Sequence, residues 1–179
     1  MSIKTVTLSE IENGKEFKIG DISFIKFTDA DGVTTAVTKE TVFNSEFGEN
    51  NNLKESTVLE RLNSEFLPRI ADVVGIENIC DITTDLTSLD GLKTYGDMTS
   101  KISIPTFDFY RANVEIFDKY KIDKWWWLAT PDSTPEHINS SWIVCVSPSG
   151  NVFSSYCYYY YGVRPFLRFV SSISVSYEE

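Results

Sequence analysis

SSWIVCVSPSGNVFSSYCYYYYGVRPFLRFV, residues 140–170, decides how this chain is read. WIVCV is a short apolar run, Ser-Pro-Ser-Gly at 147–150 is a turn, and NVFSSYCYYYY then GVRPFLRFV restart extended chain. Strand-length segments set apart by turn residues are the signature of antiparallel structure. Just upstream, Trp125-Trp126-Trp127-Leu128 reads as another strand. Consecutive side chains on a strand point to opposite faces, so Trp125 and Trp127 share one side and Trp126 takes the other. Burial is expected for Trp126, Trp127 and Trp142.

The same kind of reading extends toward the N-terminus. KEFKIG, DISFIKF and TTAVTKETVF, within residues 15–43, are strand-like, and Asp29-Ala30-Asp31-Gly32 supplies a turn. That acidic turn is no calcium loop, because aligning it on Gly32 puts Phe27 and Thr38 at the first and twelfth ligand positions. After a polar loop at 47–55, Thr57 and Glu60 read as a capping box, with Leu59, Leu62 and Phe66 on one helical face and Pro68 as a stop or kink. Residues 75–100 show no clear period and read as a long, partly structured excursion. Pro105-Thr106 opens a second helix, with Thr106 as its cap and Phe109, Val114, Ile116, Phe117 and Tyr120 as its apolar face. Strands, two helices, then more strands predict an α+β domain with helices beside an antiparallel sheet. At 179 residues, one domain over the whole chain is the natural division.

Composition narrows the function. The net charge is −10, and residues 1–100 carry nine basic against eighteen acidic side chains. Such a chain lacks the basic surface that supplies most non-specific nucleic-acid affinity, so no nucleic-acid partner is expected. Cys80, Cys145 and Cys157 are far apart, form no CxxC pair, and leave an odd thiol even if two of them meet across a hairpin. With His137 the lone histidine, neither a disulfide framework nor a zinc site is expected, and no metal or cofactor is assigned. The first residues, MSIKTVTLSEIENGKEF, lack the apolar core of a signal peptide, and no stretch has the length of a membrane span. Synthesis in a cytoplasm without membrane insertion is the expectation.

Four segments then occur in a telling order across residues 15–170: TVLERLNSEF (57–66), ISIPTFDFYR (102–111), WWLATPDS (126–133) and GVRPFL (162–167). They resemble, in turn, the R-x-W-L-N-x-x-F helix, the strand-into-helix segment, the W-W-L-R-S-P-G strand and the terminal G-V-R-P-A-L of a large bacterial and phage family of unknown function. That family is similar to the C-type lectin fold as used by formylglycine-generating enzymes, and to the retroelement-diversified tropism determinants of phages and bacteria. The resemblance implies a C-type-lectin-like domain whose final strands and loops form a ligand-binding face, with residues 131–162 as the candidate variable region. Two departures stand out. Ala129 occupies the place of the motif's Arg, and Pro131-Asp132 the place of its Pro-Gly turn.

Catalytic readings are weak on the residues themselves. The formylglycine-generating enzymes work through a copper-binding cysteine pair, and Cys145 and Cys157 fall in the corresponding third of this chain. Both sit in strand-like runs among bulky apolar groups, where a free cysteine is usually a small core residue. His137 lies in a Ser/Thr/Pro-rich loop with no evident triad partner nearby. Arg164 reads as architecture, its fixed donors holding loops together.

The Ser/Tyr run is the informative feature. On a continuous strand, Tyr156, Tyr158 and Tyr160 would face one way, and Cys157, Tyr159 and Tyr161 the other. Burying both rows would require a partner for every phenol, so some rings should be exposed. Exposed Tyr among Ser, Gly and Asn is the composition of antibody paratopes, where Tyr gives rigid amphipathic contact area. Taken with the resemblance, this makes the expected function non-catalytic recognition of a host-surface protein or glycan by a phage- or prophage-encoded protein, either displayed on the virion or acting at a host surface. Asn151, Ser154, Ser155, Tyr156, Tyr158, Tyr159 and Tyr160 are the expected interface, with Asp132, Ser133, His137 and Asn139 as its rim. The alternatives are a structural virion or assembly component without a soluble ligand, for which a homo-oligomer is expected, and a formylglycine-generating-type thiol enzyme.

Overall fold

A computed structural model of the chain describes residues 3–178. Six strands form one antiparallel sheet: β1 (Ile3–Thr7), β2 (Glu16–Ile19), β3 (Ile22–Ala30), β4 (Val33–Thr38), β12 (Phe166–Val170) and β13 (Ser174–Glu178), in the order β1-β13-β2-β3-β4-β12. A second sheet takes β5 (Phe43–Ser45), β8 (Trp126–Pro131), β9 (Trp142–Val146), β10 (Val152–Tyr156) and β11 (Tyr161–Val163), in the order β10-β9-β8-β11-β5. Among the described residues only β11 against β8 is parallel. β6 (Ile82–Asp85) and β7 (Asp97–Ser100) make a separate hairpin inside the stretch read as an excursion. The fold class is thus α+β with mainly antiparallel sheets.

The β3–β4 hairpin turns where the sequence placed it. Ala30 pairs with Val33, and the two residues between, Asp31 and Gly32, have φ of 53° and 74°. Positive φ at both central positions is the turn whose twist matches a two-stranded antiparallel ribbon.

The first helical stretch, residues 57–74, corrects two expectations. Its cap is Ser56, whose hydroxyl accepts the Leu59 N–H, so Thr57 is already inside the helix and Glu60 lies one place too far for the box. Pro68, read as a stop or a kink, does not stop it. Between α1 (Thr57–Arg61) and α2 (Leu67–Val74) the chain widens into a π-turn, Leu62–Phe66, in which the Leu67 N–H reaches the Leu62 carbonyl five residues back. Widening the turn ahead of a proline relieves the clash its ring makes with the preceding turn of an α-helix. The second helical stretch starts as expected, with the Thr106 hydroxyl accepting the Phe109 N–H, and breaks at Asn113 into α3 (Phe107–Ala112) and α4 (Val114–Lys119). Val114, expected on the apolar face, is exposed, whereas Tyr110 is buried.

Two core clusters explain why the central strands are apolar almost throughout. Trp127, Ile143 and Cys145 join Phe24, Phe66 and Leu167 in one; Trp126, Val144 and Val146 join Ile25, Phe27 and Phe117 in the other. Each cluster draws on both sheets. The α1–α2 stretch packs into the first, and α3 and α4 into the second. A strand covered on both faces reads as a continuous apolar run, as WIVCV does. The tryptophan alternation holds: Trp126 and Trp127 are buried in opposite clusters, and Trp125 packs beside Trp127. Trp142, expected in the core, is only half-buried.

Arg164 lies at a crossover. β11 and β12 follow one another in sequence yet belong to different sheets, as do β4 and β5. The Arg164 side chain is almost completely buried there and donates from Nε to the Thr38 carbonyl at 3.0 Å. Its guanidinium carbon stands 4.8 Å from the Trp126 ring centroid and 5.5 Å from that of Phe117. One terminal nitrogen, Nη2, has no hydrogen-bond partner among the described residues. Burial lowers its pKa to about 10.

Candidate functional site

The tyrosine surface is built at one end of the β9–β10 hairpin. Register pairs Tyr156 with Trp142 and Ser155 with Ile143, and β10 is the outermost strand of its sheet. The Tyr156 ring lies 4.2 Å, centroid to centroid, from Trp142, which accounts for the partial exposure of both. The strand ends there. Residues 157–160 form a turn, with the Tyr159 N–H on the Tyr156 carbonyl at 3.0 Å, so the expected strand alternation stops at Tyr156.

Cys157 anchors that turn. It is fully buried, its N–H meets the Ser141 carbonyl at 2.8 Å, and its carbonyl accepts the Phe47 N–H at 2.9 Å. Tyr161 anchors the far side. Its ring packs 5.5 Å from Trp125 and 4.5 Å from Trp127, and its hydroxyl lies 3.1 Å from that of Ser155. Next to it, Gly162 donates to the Trp125 carbonyl at 2.8 Å, and a Cβ there would collide with the Thr41 side chain. Between these anchors Tyr158, Tyr159 and Tyr160 project outward. With Tyr156 they give four rings exposed by 41–71%, and Phe153, at 48%, lies nearby against Trp125.

Other expected interface residues are distributed differently. Ser155 is buried, its hydroxyl between the Tyr161 oxygen and the Cys145 sulfur, and so does not belong to a contact surface. Ser154 is half-buried and donates to Asp132 Oδ1 at 2.6 Å, joining strand to rim loop. Asn151 is exposed but sits in the Ser147–Asn151 turn at the opposite end of β10, bonded to Ser149 and Ser147. Five strand residues, roughly 16 Å of extended chain, separate it from the tyrosine turn. Asn139 is structural, its side-chain oxygen accepting the Ser141 and Trp142 N–H groups at 3.0 Å each.

The rim loop holds a cluster that the sequence did not announce. Asp90 receives the Ser88 hydroxyl on one oxygen; on the other it receives the Ser133 hydroxyl at 2.6 Å and meets His137 Nδ1 at 2.7 Å. These three contacts, that of Ser133 foremost, hold the Asp90 carboxyl well below the usual carboxylate range. Ser133, expected at the rim, is fully buried; His137 is exposed. The order Ser–Asp–His is wrong for nucleophilic catalysis, in which histidine must stand between serine and carboxylate to take the hydroxyl proton. Asn51, also unforeseen, is fully buried and joins the 47–55 loop to the same region by donating to the Ser133 and Trp142 carbonyls at 3.0 and 2.8 Å.

The cysteines are free thiols. Cys145 stands opposite Phe153 in the β9–β10 register, not opposite Cys157. Burial pushes both thiols up, away from the thiolate that nucleophilic or metal chemistry needs. Among the described residues no group of three or more His, Cys, Asp or Glu side chains could hold a metal, and no helix is long and apolar enough to cross a membrane. Searches against protein-family models, curated proteins and solved structures gave no match for this chain.

Proposed function

We propose that this chain is a C-type-lectin-like recognition domain, phage- or prophage-encoded, that binds a host-surface protein or glycan through the tyrosine turn and catalyses nothing. One observation carries the reading: Tyr156, at the end of β10, and Tyr158, Tyr159 and Tyr160, on the turn that follows, are exposed together, the turn being pinned by the buried Cys157 and the packed Tyr161. Aromatic side chains clustered in solvent mark interaction surfaces. Tyrosines suit that task because each brings contact area and a hydroxyl while freezing only two torsions. Ser154 and Asp132, bonded to each other, are the polar border of this face, and His137 is exposed further along the same loop as Asp132. The four segments that resemble the lectin-like family support the fold assignment. The raised thiols and the order of the Ser–Asp–His cluster support the absence of chemistry.

The test is capture. Immobilised wild-type protein is incubated with envelope extract of the bacterium whose genome carries the gene, beside a variant with Tyr158→Ala and Tyr160→Ala. The expected result is a component retained by the wild type and missing from the variant at equal folded concentration. A wild-type protein that runs as a defined oligomer in size-exclusion chromatography and retains nothing sinks this reading in favour of a structural virion component.

A further inference from the structure

A cavity of about 500 Å³ opens elsewhere on the molecule, between the β6 hairpin with its long loop and the start of α3, and it shares no residue with the tyrosine turn. Its inner wall is uncharged. Phe107, Phe109 and Phe166 are each half-buried and line it together, the last two packed edge to face at 4.9 Å. Thr106 and Thr130 add hydroxyls that already accept the Phe109 and Phe107 N–H groups, at 3.1 and 2.9 Å. Neither hydroxyl proton has an acceptor among the described residues, and Thr130 is buried, so each is a donor directed by its existing bond. Charges stand only in the outer part and balance: exposed Asp85 and Asp108 against exposed Lys93 and Arg111. Asp85 uses Oδ1 for the Thr87 N–H and hydroxyl, which leaves Oδ2 as an acceptor.

From this lining we infer a second binding site, for a neutral saccharide of one or two sugar units. A volume of this size is that of an ordinary small-molecule pocket. A ligand of net charge would need an excess of one sign, and the lining offers none. A wholly apolar ligand would leave the buried Thr130 donor unpaired, which is penalised. A sugar ring matches both features, with one hydrocarbon face for the phenylalanine wall and hydroxyls on its edge for Thr106, Thr130 and Asp85.

The experiment is ligand-observed NMR on the full chain with a panel of neutral mono- and disaccharides, alongside nucleosides and free amino acids as probes of the competing chemistries. At least one neutral saccharide is expected to bind with a millimolar Kd or tighter. Asp85→Ala, which removes a charged acceptor, should weaken it by about tenfold or more. Leu89→Trp, at an exposed position lining the cavity, should abolish binding by filling the entrance, and Tyr160→Ala should leave it unchanged. Binding of nucleosides or amino acids alone, no binding by any sugar, or sugar binding indifferent to both cavity variants each overturns the inference. Since Tyr160→Ala reports on the other face, failure here is distinguishable from failure of the recognition reading.

Discussion

Tyr161 and its neighbours Tyr158 and Tyr160 are separated by a few residues, yet they should behave as different kinds of side chain. Tyr161 fills the space beside Trp125 and Trp127 and completes a hydroxyl contact to the buried Ser155. Truncating a fully buried aromatic ring to alanine costs about 3–5 kcal/mol. For a half-buried ring with three aromatic neighbours, Trp125, Trp127 and Tyr159, about 2–3 kcal/mol is the fair expectation from that range. In a domain of this size each kcal/mol moves the melting temperature by about 2–4 °C, so Tyr161→Ala should melt roughly 5–10 °C early. Tyr161→Phe, which keeps the ring and loses one hydroxyl contact, should cost about 1 kcal/mol. Tyr158 and Tyr160 are 56% and 71% exposed, and Tyr160 has no aromatic ring packed on it among the described residues. Removing both rings should cost under about 1 kcal/mol in total, or less than roughly 4 °C. Thermal unfolding followed by near-ultraviolet circular dichroism measures all of these variants. A double variant that melts as early as Tyr161→Ala would refute the division between anchor and surface, because those rings would then be core.

Three further outcomes follow from the same structure. With Cys145 and Cys157 fully buried and Cys80 half-buried, a thiol reagent should titrate at most one cysteine rapidly in native protein and all three after denaturation; a fast-reacting pair would revive the thiol-enzyme reading. Arg164→Met keeps most of the stem and removes a buried charge whose lowered pKa corresponds to roughly 3 kcal/mol of unfavourable burial, offsetting the lost Thr38 bond and ring contacts. It should therefore remain within about 1.5 kcal/mol of wild type by urea unfolding, whereas Arg164→Ala, which opens a void, should lose about 3 kcal/mol or more. Asp90 has a folded-state pKa below its unfolded value, so its contribution is present above about pH 4 and fades as pH falls through the folded-state value. Asp90→Asn should flatten that acid limb of the stability curve, and an unchanged limb would show that the Ser88–Ser133–His137 contacts do not form in solution.

What the sequence made legible is what local pattern encodes. The Asp31-Gly32 turn, the Thr106 cap and the opposite orientations of Trp126 and Trp127 all rest on rules that act within a few residues. The losses have equally physical causes. β1 and β13, largely polar strands on the margin of the six-stranded sheet, bury little and so leave no apolar pattern. The 57–74 helix passes Pro68 because a π-turn makes room, and neighbouring residues do not advertise that turn. Cys157–Tyr160 form a turn although the segment contains no glycine, proline or asparagine; backbone bonds from Ser141 and Phe47 impose the bend. The Asp90 cluster joins Ser88 to His137 across a long stretch of chain, and the buried Lys26, bonded to Asp29 at 2.8 Å and to the Leu8 carbonyl at 2.7 Å, likewise depends on tertiary contacts. A loop position for Ser133 and a Ser/Tyr-rich setting for Ser155 point to a surface, and it is their hydrogen-bond partners that put them inside.

The most direct measurement of the central claim is tyrosine nitration read residue by residue by mass spectrometry, with and without the bacterial envelope extract used for capture. In free protein Tyr156, Tyr158, Tyr159 and Tyr160 should nitrate well before the buried Tyr110 and the packed Tyr161. With extract present, the tyrosine turn should be protected while half-buried Tyr120, on a different part of the fold, keeps its rate. Unchanged nitration of Tyr158, Tyr159 and Tyr160 in the presence of captured partner would place recognition elsewhere and contradict the account.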